Sequence, residues 1–216
     1  MTPTEIVNDV LSQFDDSTSA FLSTTDIYKW MWEAFYRLSV EADIIEQEDA
    51  SLTTINGTAT YTVPEDFIKI NLALWGGQTL IKVGLEKFQR LTGKNPSTGS
   101  STYYKQWRNV LTLHPIPSSA KTITIIGTQR PTKITTDNAS TDLYALDNIA
   151  EEYQQMVSDY ILWRAYLKDD DVKAREHEKK WMDNLERAKL DAEKVKNDAE
   201  HNTVTMMDIG VDITFV

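Results

Sequence analysis

The apolar residues of this chain change their spacing twice, and that change limits the fold more than any other feature of the sequence. Ile27, Met31, Ala34, Leu38, Ala42 and Ile45 follow one another at steps of three or four, the period of one helical face, behind N-cap candidates in Ser23-Thr24-Thr25-Asp26. From about residue 50 the pattern alternates instead, through Leu52-Thr53-Thr54-Ile55 and Thr58-Ala59-Thr60-Tyr61-Thr62-Val63. From Asp147 the helical period returns through Ile149, Tyr153, Met156, Tyr160, Ile161 and Leu167. Neither period can serve the other element, so the chain is expected to be an α+β protein. The expected arrangement is a helical bundle with an inserted small antiparallel β domain, a sandwich or open barrel, and an extended C-terminal tail. The corresponding segments are 1–48 for the first helices, 49–136 for the β domain, 137–202 for the last helices and 203–216 for the tail.

Ile6, Val7, Val10, Leu11 and Phe14 add a short helix ahead of the polar break at 15–19. Asn56-Gly57 between two alternating runs predicts a tight hairpin. Further short strands are expected over 67–74, 79–83, 103–108, 110–113 and 122–128, and a helical turn or two over 85–91. Lys168-Asp169-Asp170-Asp171 reads as a turn with a fresh N-cap. The stripe Glu178, Trp181, Met182, Leu185, Ala188, Ala192 and Val195 then predicts a second long helix, which would span about 45 Å if continuous from 171 to 200.

A chain of 216 residues can bury a sizeable core without covalent staples. Cysteine is absent, which removes disulfides, thiolate metal sites and cysteine nucleophiles. The first residues lack the basic and apolar regions of a secretory signal, and no apolar run approaches a membrane span, so a cytosolic product that needs no membrane is expected. A formal net charge of -11 argues against duplex DNA binding through phosphate neutralisation. An ordinary acidic surface that keeps the chain in solution is the expectation, with an acidic wall that lets DNA slide past as the alternative.

No catalytic constellation emerges. His114, His177 and His201 share no helical face or strand, and His177-Glu178-Lys179-Lys180-Trp181 carries Trp181 where a zinc-protease helix needs its second histidine. Gly93-Lys94-Asn95 lacks the spacing of a phosphate-binding loop. Glu65 with Asp66, Glu151 with Glu152, and 169–171 are carboxylate clusters of the residue type a two-acid hydrolase uses. Each also fits an ordinary place: beside a proline turn, on an exposed helical face, at a helix N-terminus. No catalytic, cofactor or metal residue is therefore assigned.

The aromatics point elsewhere. Trp30 and Trp32 cannot face the same way on a helix, and Trp163 and Tyr166 lie off the stripe of Tyr153, Met156 and Tyr160. Helices wetted on one side should not be this apolar around their circumference, so Trp30, Trp32, Tyr36, Trp163 and Tyr166 are candidates for a subunit interface. In the tail, Val211, Ile213 and Phe215 alternate with Asp212 and Thr214, the period of a half-buried strand. Val204, Met206, Met207, Ile209, Val211, Ile213 and Phe215 are thus candidates for docking by strand addition, with a strand folded back on the chain's own β domain as the alternative. Such a tail binds weakly alone and firmly when many are held on one ring.

Three segments carry a resemblance: Thr60-Tyr61-Thr62-Val63-Pro64-Glu65-Asp66-Phe67-Ile68-Lys69-Ile70, then Leu111-Thr112-Leu113-His114-Pro115-Ile116-Pro117, then Gly127-Thr128-Gln129-Arg130-Pro131-Thr132-Lys133-Ile134. Their order and spacing, with the helical finish from Leu146 to Trp181, are similar to the head-to-tail adaptor (connector) family of tailed bacteriophages. The resemblance implies a structural virion protein rather than an enzyme. It implies a homo-oligomeric ring, commonly of twelve copies, docked between the portal protein and a tail or nozzle protein, with DNA passing through the lumen without sequence-specific binding. It implies no cofactor, a place at the head-tail junction of the virion and a passage through the host cytoplasm during assembly. The tail at 203–216 lies outside it. A tail-tube or tail-completion protein, and a cell-wall hydrolase with paired carboxylates, remain the alternatives.

Overall fold

The computed structural model describes residues 1–15, 21–93 and 97–208, with side chains described through Lys194. In chain order it runs α1 (Pro3–Gln13), α2 (Thr24–Ala42), β1 (Glu46–Thr53), β2 (Thr60–Thr62), β3 (Phe67–Trp75), β4 (Gln78–Thr79), β5 (Ile81–Lys82) and α3 (Leu85–Thr92). It continues through β6 (Thr98–Gly99), β7 (Tyr103–Trp107), β8 (Val110–His114), β9 (Ile116–Pro117), β10 (Thr122–Gln129), α4 (Leu143–Asp147), α5 (Glu151–Lys168) and α6 (Ala174–Asp208). The chain is thus a mixed helix-and-sheet protein. It divides into two compact units, one formed by 1–44 with 132–216 and the other by 45–131.

In the helical unit, local signals set the helix ends. Thr2 and Glu5 form a capping box at α1, in which the Thr2 hydroxyl accepts from the Glu5 N–H and the Glu5 carboxylate accepts from the Thr2 N–H. Ser23 caps α2 by accepting from the Asp26 N–H at 3.1 Å, and Asp43 ends the helix in the left-handed region. Ile27, Trp30, Met31, Ala34, Phe35 and Leu38 turn inward from α2 and meet Val157, Ile161, Leu162 and Ala165 of α5 with Trp181, Leu185 and Ala188 of α6. Full burial of each aliphatic side chain contributes about 1.5–3 kcal/mol. Tyr160 of α5 meets Trp181 of α6 edge-on, ring centroids 5.0 Å apart. Asp159 of α5 receives the Asn184 amide and faces His177 Nδ1 at 3.1 Å, both from α6.

In the β unit, one sheet has strand order β1-β10-β3-β4 and a second β2-β8-β7-β5, with a two-stranded pair β6-β9. The pairings β5-β7 and β6-β9 are parallel and the others antiparallel. The inward faces of the two large sheets share one core: Phe67, Ile70, Ala73, Trp75, Ile123 and Ile125 from one, and Tyr61, Tyr104, Leu111 and Leu113 from the other. Thr54 ties this core together through its hydroxyl, which accepts from Trp75 Nε1 at 3.1 Å and from the Lys121 N–H at 2.9 Å.

Two expectations are corrected. Asn56-Gly57 does form a turn, with Gly57 at φ +80° and the Thr58 N–H donating to the Ile55 carbonyl, but its flanks do not pair as a hairpin. Leu52 pairs with Ile123 and Thr60 with Thr112, so the turn carries the chain from one sheet to the other. Turn chemistry is local, whereas strand pairing answers to which partner buries the alternate residues, and here the distant partners do so. The extended reading of 203–216 also gives way in part. α6 continues through Asp208, so 203–208 are helical, and 209–216 lie outside the described residues. Extending a formed helix is far easier than nucleating one, which lets Thr203 and Val204 follow the helical run before them.

Candidate assembly interface

α2 carries two apolar faces. Beside its core stripe, Tyr28, Trp32, Tyr36 and Val40 recur at steps of four, so they line up along the helix as a second strip. Tyr28, Trp32 and Tyr36 are half-buried and Val40 is exposed. The Trp32 and Tyr36 rings stack at 5.3 Å with planes 17° apart, which fixes both side chains on the surface.

The N-terminal half of this strip forms one wall of a groove of about 520 Å³, lined by Thr25, Tyr28, Lys29 and Trp32 and by residues 133–136 opposite. Polar contacts hold that second wall. The Thr132 N–H and hydroxyl donate to the Asp147 carboxylate at 2.8 and 2.7 Å, the Thr135 N–H donates to Asn138 Oδ1 at 2.8 Å, and Asn138 Nδ2 returns a bond to the Lys133 carbonyl. Tyr28, Trp32 and Ile134 make the groove apolar, Lys29 and Lys133 make it basic, and among the described residues no carboxylate lines it.

A polar seam behind the strip fixes α2 to α5. The Tyr160 hydroxyl donates to Glu33 Oε2 at 3.3 Å, Arg164 approaches the same oxygen at 3.9 Å, and Arg37 lies over the Tyr160 ring. Burial, and then the Glu33 charge, raise the Tyr160 phenol above its ordinary value, which keeps it a donor. At the end of the pair, Lys168 meets Asp26 at 3.0 Å and holds that carboxyl below its ordinary value.

The five aromatic residues singled out for a subunit interface separate accordingly. Trp30 and Tyr166 are buried inside the chain, Tyr166 against Phe14 at 4.9 Å. Trp32, Tyr36 and Trp163 keep surface to offer, Trp163 edge-on to Tyr160 at 5.4 Å. Tyr28, Lys29, Val40 and the 133–136 wall were missed, although the step-of-four recurrence at 28, 32, 36 and 40 was there to be counted. Of the tail candidates, the backbones of Val204, Met206 and Met207 belong to α6, while Ile209, Val211, Ile213 and Phe215 lie outside the described residues.

The carboxylate clusters are scattered. Glu65 and Asp66 are exposed at the start of β3, Glu151 and Glu152 occupy the first turn of α5, and Asp169 and Asp170 lie on the turn before α6. Among the described residues no three His, Asp or Glu side chains converge on a metal-sized site, and no helix is long and apolar enough to cross a membrane.

No curated protein matches this sequence. A family model described as SU10 adaptor protein matches residues 1–206. With nearly the whole chain inside that match, and with the landmarks at 60–70, 111–117 and 127–134 in their expected order, the chain belongs to the SU10 adaptor protein family of phage head-to-tail adaptors.

Proposed function

We propose that this adaptor subunit works as one member of a ring, commonly of twelve copies, which sits between the portal and the tail and lets DNA pass through its centre. The observation that carries the reading is the second apolar strip of α2, Tyr28, Trp32, Tyr36 and Val40, on a subunit of an adaptor family. A partly exposed strip of three aromatics beside a complete helical core is what side-by-side packing of copies requires. Trp163 of α5 adds to the apolar surface available to a neighbour. The end of α6 and the residues beyond it, 203–216, dock on the portal. The function is mechanical: apolar contacts close the ring, and the surplus of 33 acidic over 22 basic residues keeps DNA from adhering to it.

The test is mass measurement of the purified full chain with and without portal protein. Wild type is expected to form a closed oligomer with portal, Trp32→Glu with Tyr36→Glu to leave the fold intact and block closure, and truncation after Thr203 to lose portal binding. Full ring assembly by the double variant refutes the strip as the ring contact, and undiminished portal binding by the truncation refutes the docking assignment.

A further inference from the structure

The charge of this chain is divided unevenly between its units. Residues 45–131 carry nine Lys and Arg against six Asp and Glu, whereas 1–44 with 132–216 carry thirteen against twenty-seven. The β unit is therefore +3 and the helical unit -14, a contrast hidden by the total of -11.

The β unit's positive charge lines a cleft. Lys82, Val83, Gly84 and Leu85 form one side, and Lys105, Gln106 and Trp107 the other, around about 500 Å³. Trp107, at the tip of the β7-β8 hairpin, is 62% exposed, and Leu85 is exposed as well. Among the described residues neither lysine pairs with a carboxylate. Lys82 Nζ donates to the Ile70 carbonyl at 2.8 Å and Lys105 lies over the Phe88 ring at 5.1 Å. Partial burial and the nearby Lys69 charge lower the Lys82 ammonium below its ordinary value, the effect of a cation kept without a counter-ion.

The helical unit carries a matching projection. The turn between α5 and α6 places Leu167 and Val172, 57% and 87% exposed, on either side of Asp169 and Asp170. Neither of these two carboxylates has a partner among the described residues, whereas Asp171 is occupied in accepting from the Lys173 N–H. A turn with two exposed apolar side chains and two acids that lack a partner among the described residues has the chemistry that a cleft with exposed Leu85 and Trp107, edged by two lysines that lack a carboxylate there, accepts.

On the reading of the chain as a ring-forming adaptor, we infer that the cleft of Lys82, Lys105 and Trp107 receives the turn of Leu167, Asp169, Asp170 and Val172 from a second copy. Because cleft and turn are different surfaces, the contact is head-to-tail, the type that builds a ring when the rotation between copies closes. A nucleic-acid strand is the weaker occupant. Two lysines neutralise few phosphates compared with the roughly six to ten contacts of a DNA-binding surface, and Val83 and Leu85 offer a phosphate backbone nothing.

The chain's lack of cysteine makes the test direct. Leu85→Cys with Val172→Cys, in the full chain mixed with portal protein and oxidised, is expected to give a ladder of covalent oligomers on a denaturing gel. Either single variant should give no species above a dimer. Lys82→Glu with Lys105→Glu should cut oligomer yield at least tenfold at moderate salt, and adding Asp169→Lys with Asp170→Lys should restore it. Oligomers that form without the ladder overturn this contact and leave the ring reading standing, and absence of oligomers from wild type overturns both. An intrachain disulfide alone, or loss of affinity for a duplex DNA probe by the Lys82 and Lys105 variant with assembly intact, also overturns the contact.

Discussion

Replacing Thr54 by valine isolates what one hydroxyl contributes to the β unit. Thr54 is 1% exposed, and valine has nearly its volume, so the surrounding contacts survive the change. The hydrogen bonds do not. Trp75 Nε1, at 3.1 Å, and the Lys121 N–H, at 2.9 Å, lose their acceptor, and the Ser119 carbonyl, at 2.9 Å, loses its donor. A buried donor left unsatisfied costs about 1–3 kcal/mol. Trp75 is fully enclosed and bears that cost, while the half-buried Lys121 amide recovers part of it from water. The expected loss is about 2–4 kcal/mol. Thr54→Ser keeps the hydroxyl and removes one methyl, which costs about 1 kcal/mol. Stability should therefore fall from threonine to serine to valine, the reverse of what apolar burial alone dictates. Urea unfolding followed by far-ultraviolet circular dichroism, with slopes compared between variants, measures it. A valine variant more stable than the serine variant, or within about 0.5 kcal/mol of wild type, would refute the assignment of Thr54 as the polar tie of the core.

Tyr104 presents the opposite case. Its hydroxyl has no partner among the described residues, and burial pushes the phenol up to about 12, so Tyr104→Phe should be neutral or stabilising by up to about 1 kcal/mol at pH 7. Because the folded value lies above the unfolded value of 10.0, wild type should lose stability relative to this variant as the pH rises from 10 towards 12, and thermal melts across that range that stay parallel would contradict it. Gly127→Ala puts a Cβ 2.2 Å from the Lys69 carbonyl oxygen, where β10 shifts register against β3, and should cost about 1–3 kcal/mol or more. Gly99→Ala meets nothing nearer than the Pro115 Cβ at 4.0 Å and should stay within about 0.5 kcal/mol in the same melts, so equal effects at the two positions would show that the strands at Gly127 can part to admit a side chain.

What could be read from the sequence follows from how local its cause is. Helix ends were legible where caps are local: Ser23 caps α2 inside the expected segment and α5 ends at Lys168, whereas α6 starts only at Ala174, past the acidic run expected to cap it. The mixture of helices and strands was legible because the period of apolar residues reports burial directly. Strand partners were not, since Leu52 must find Ile123 some seventy residues away, and nothing near Asn56-Gly57 encodes that choice. The candidate interface was half legible. Crowding of Trp30, Trp32 and Tyr36 pointed to two apolar faces on α2, but only packing decides which face α5 and α6 take, and that decision buried Trp30 and left Trp32 half-buried. The cleft at Lys82 and Lys105 could not be seen, because β5 and β7 become neighbours only through a parallel pairing of residues twenty-two positions apart.

The pairing of β1 with β10 sets a timetable for synthesis. Glu46 lies opposite Thr128, so the strand that opens the β unit has no partner until the strand that closes it has left the ribosome. At about 5–20 residues per second the wait lasts several seconds. Through that interval β1 lacks its sheet partner, and an unpaired strand is a template for sticking to other chains. Its own residues supply the guard: Glu46, Glu48 and Asp49 place three carboxylates in the first half of the strand, so two waiting copies repel each other. The acidity of β1, in a unit otherwise rich in lysine and arginine, opposes the pairing of two such strands before β10 arrives.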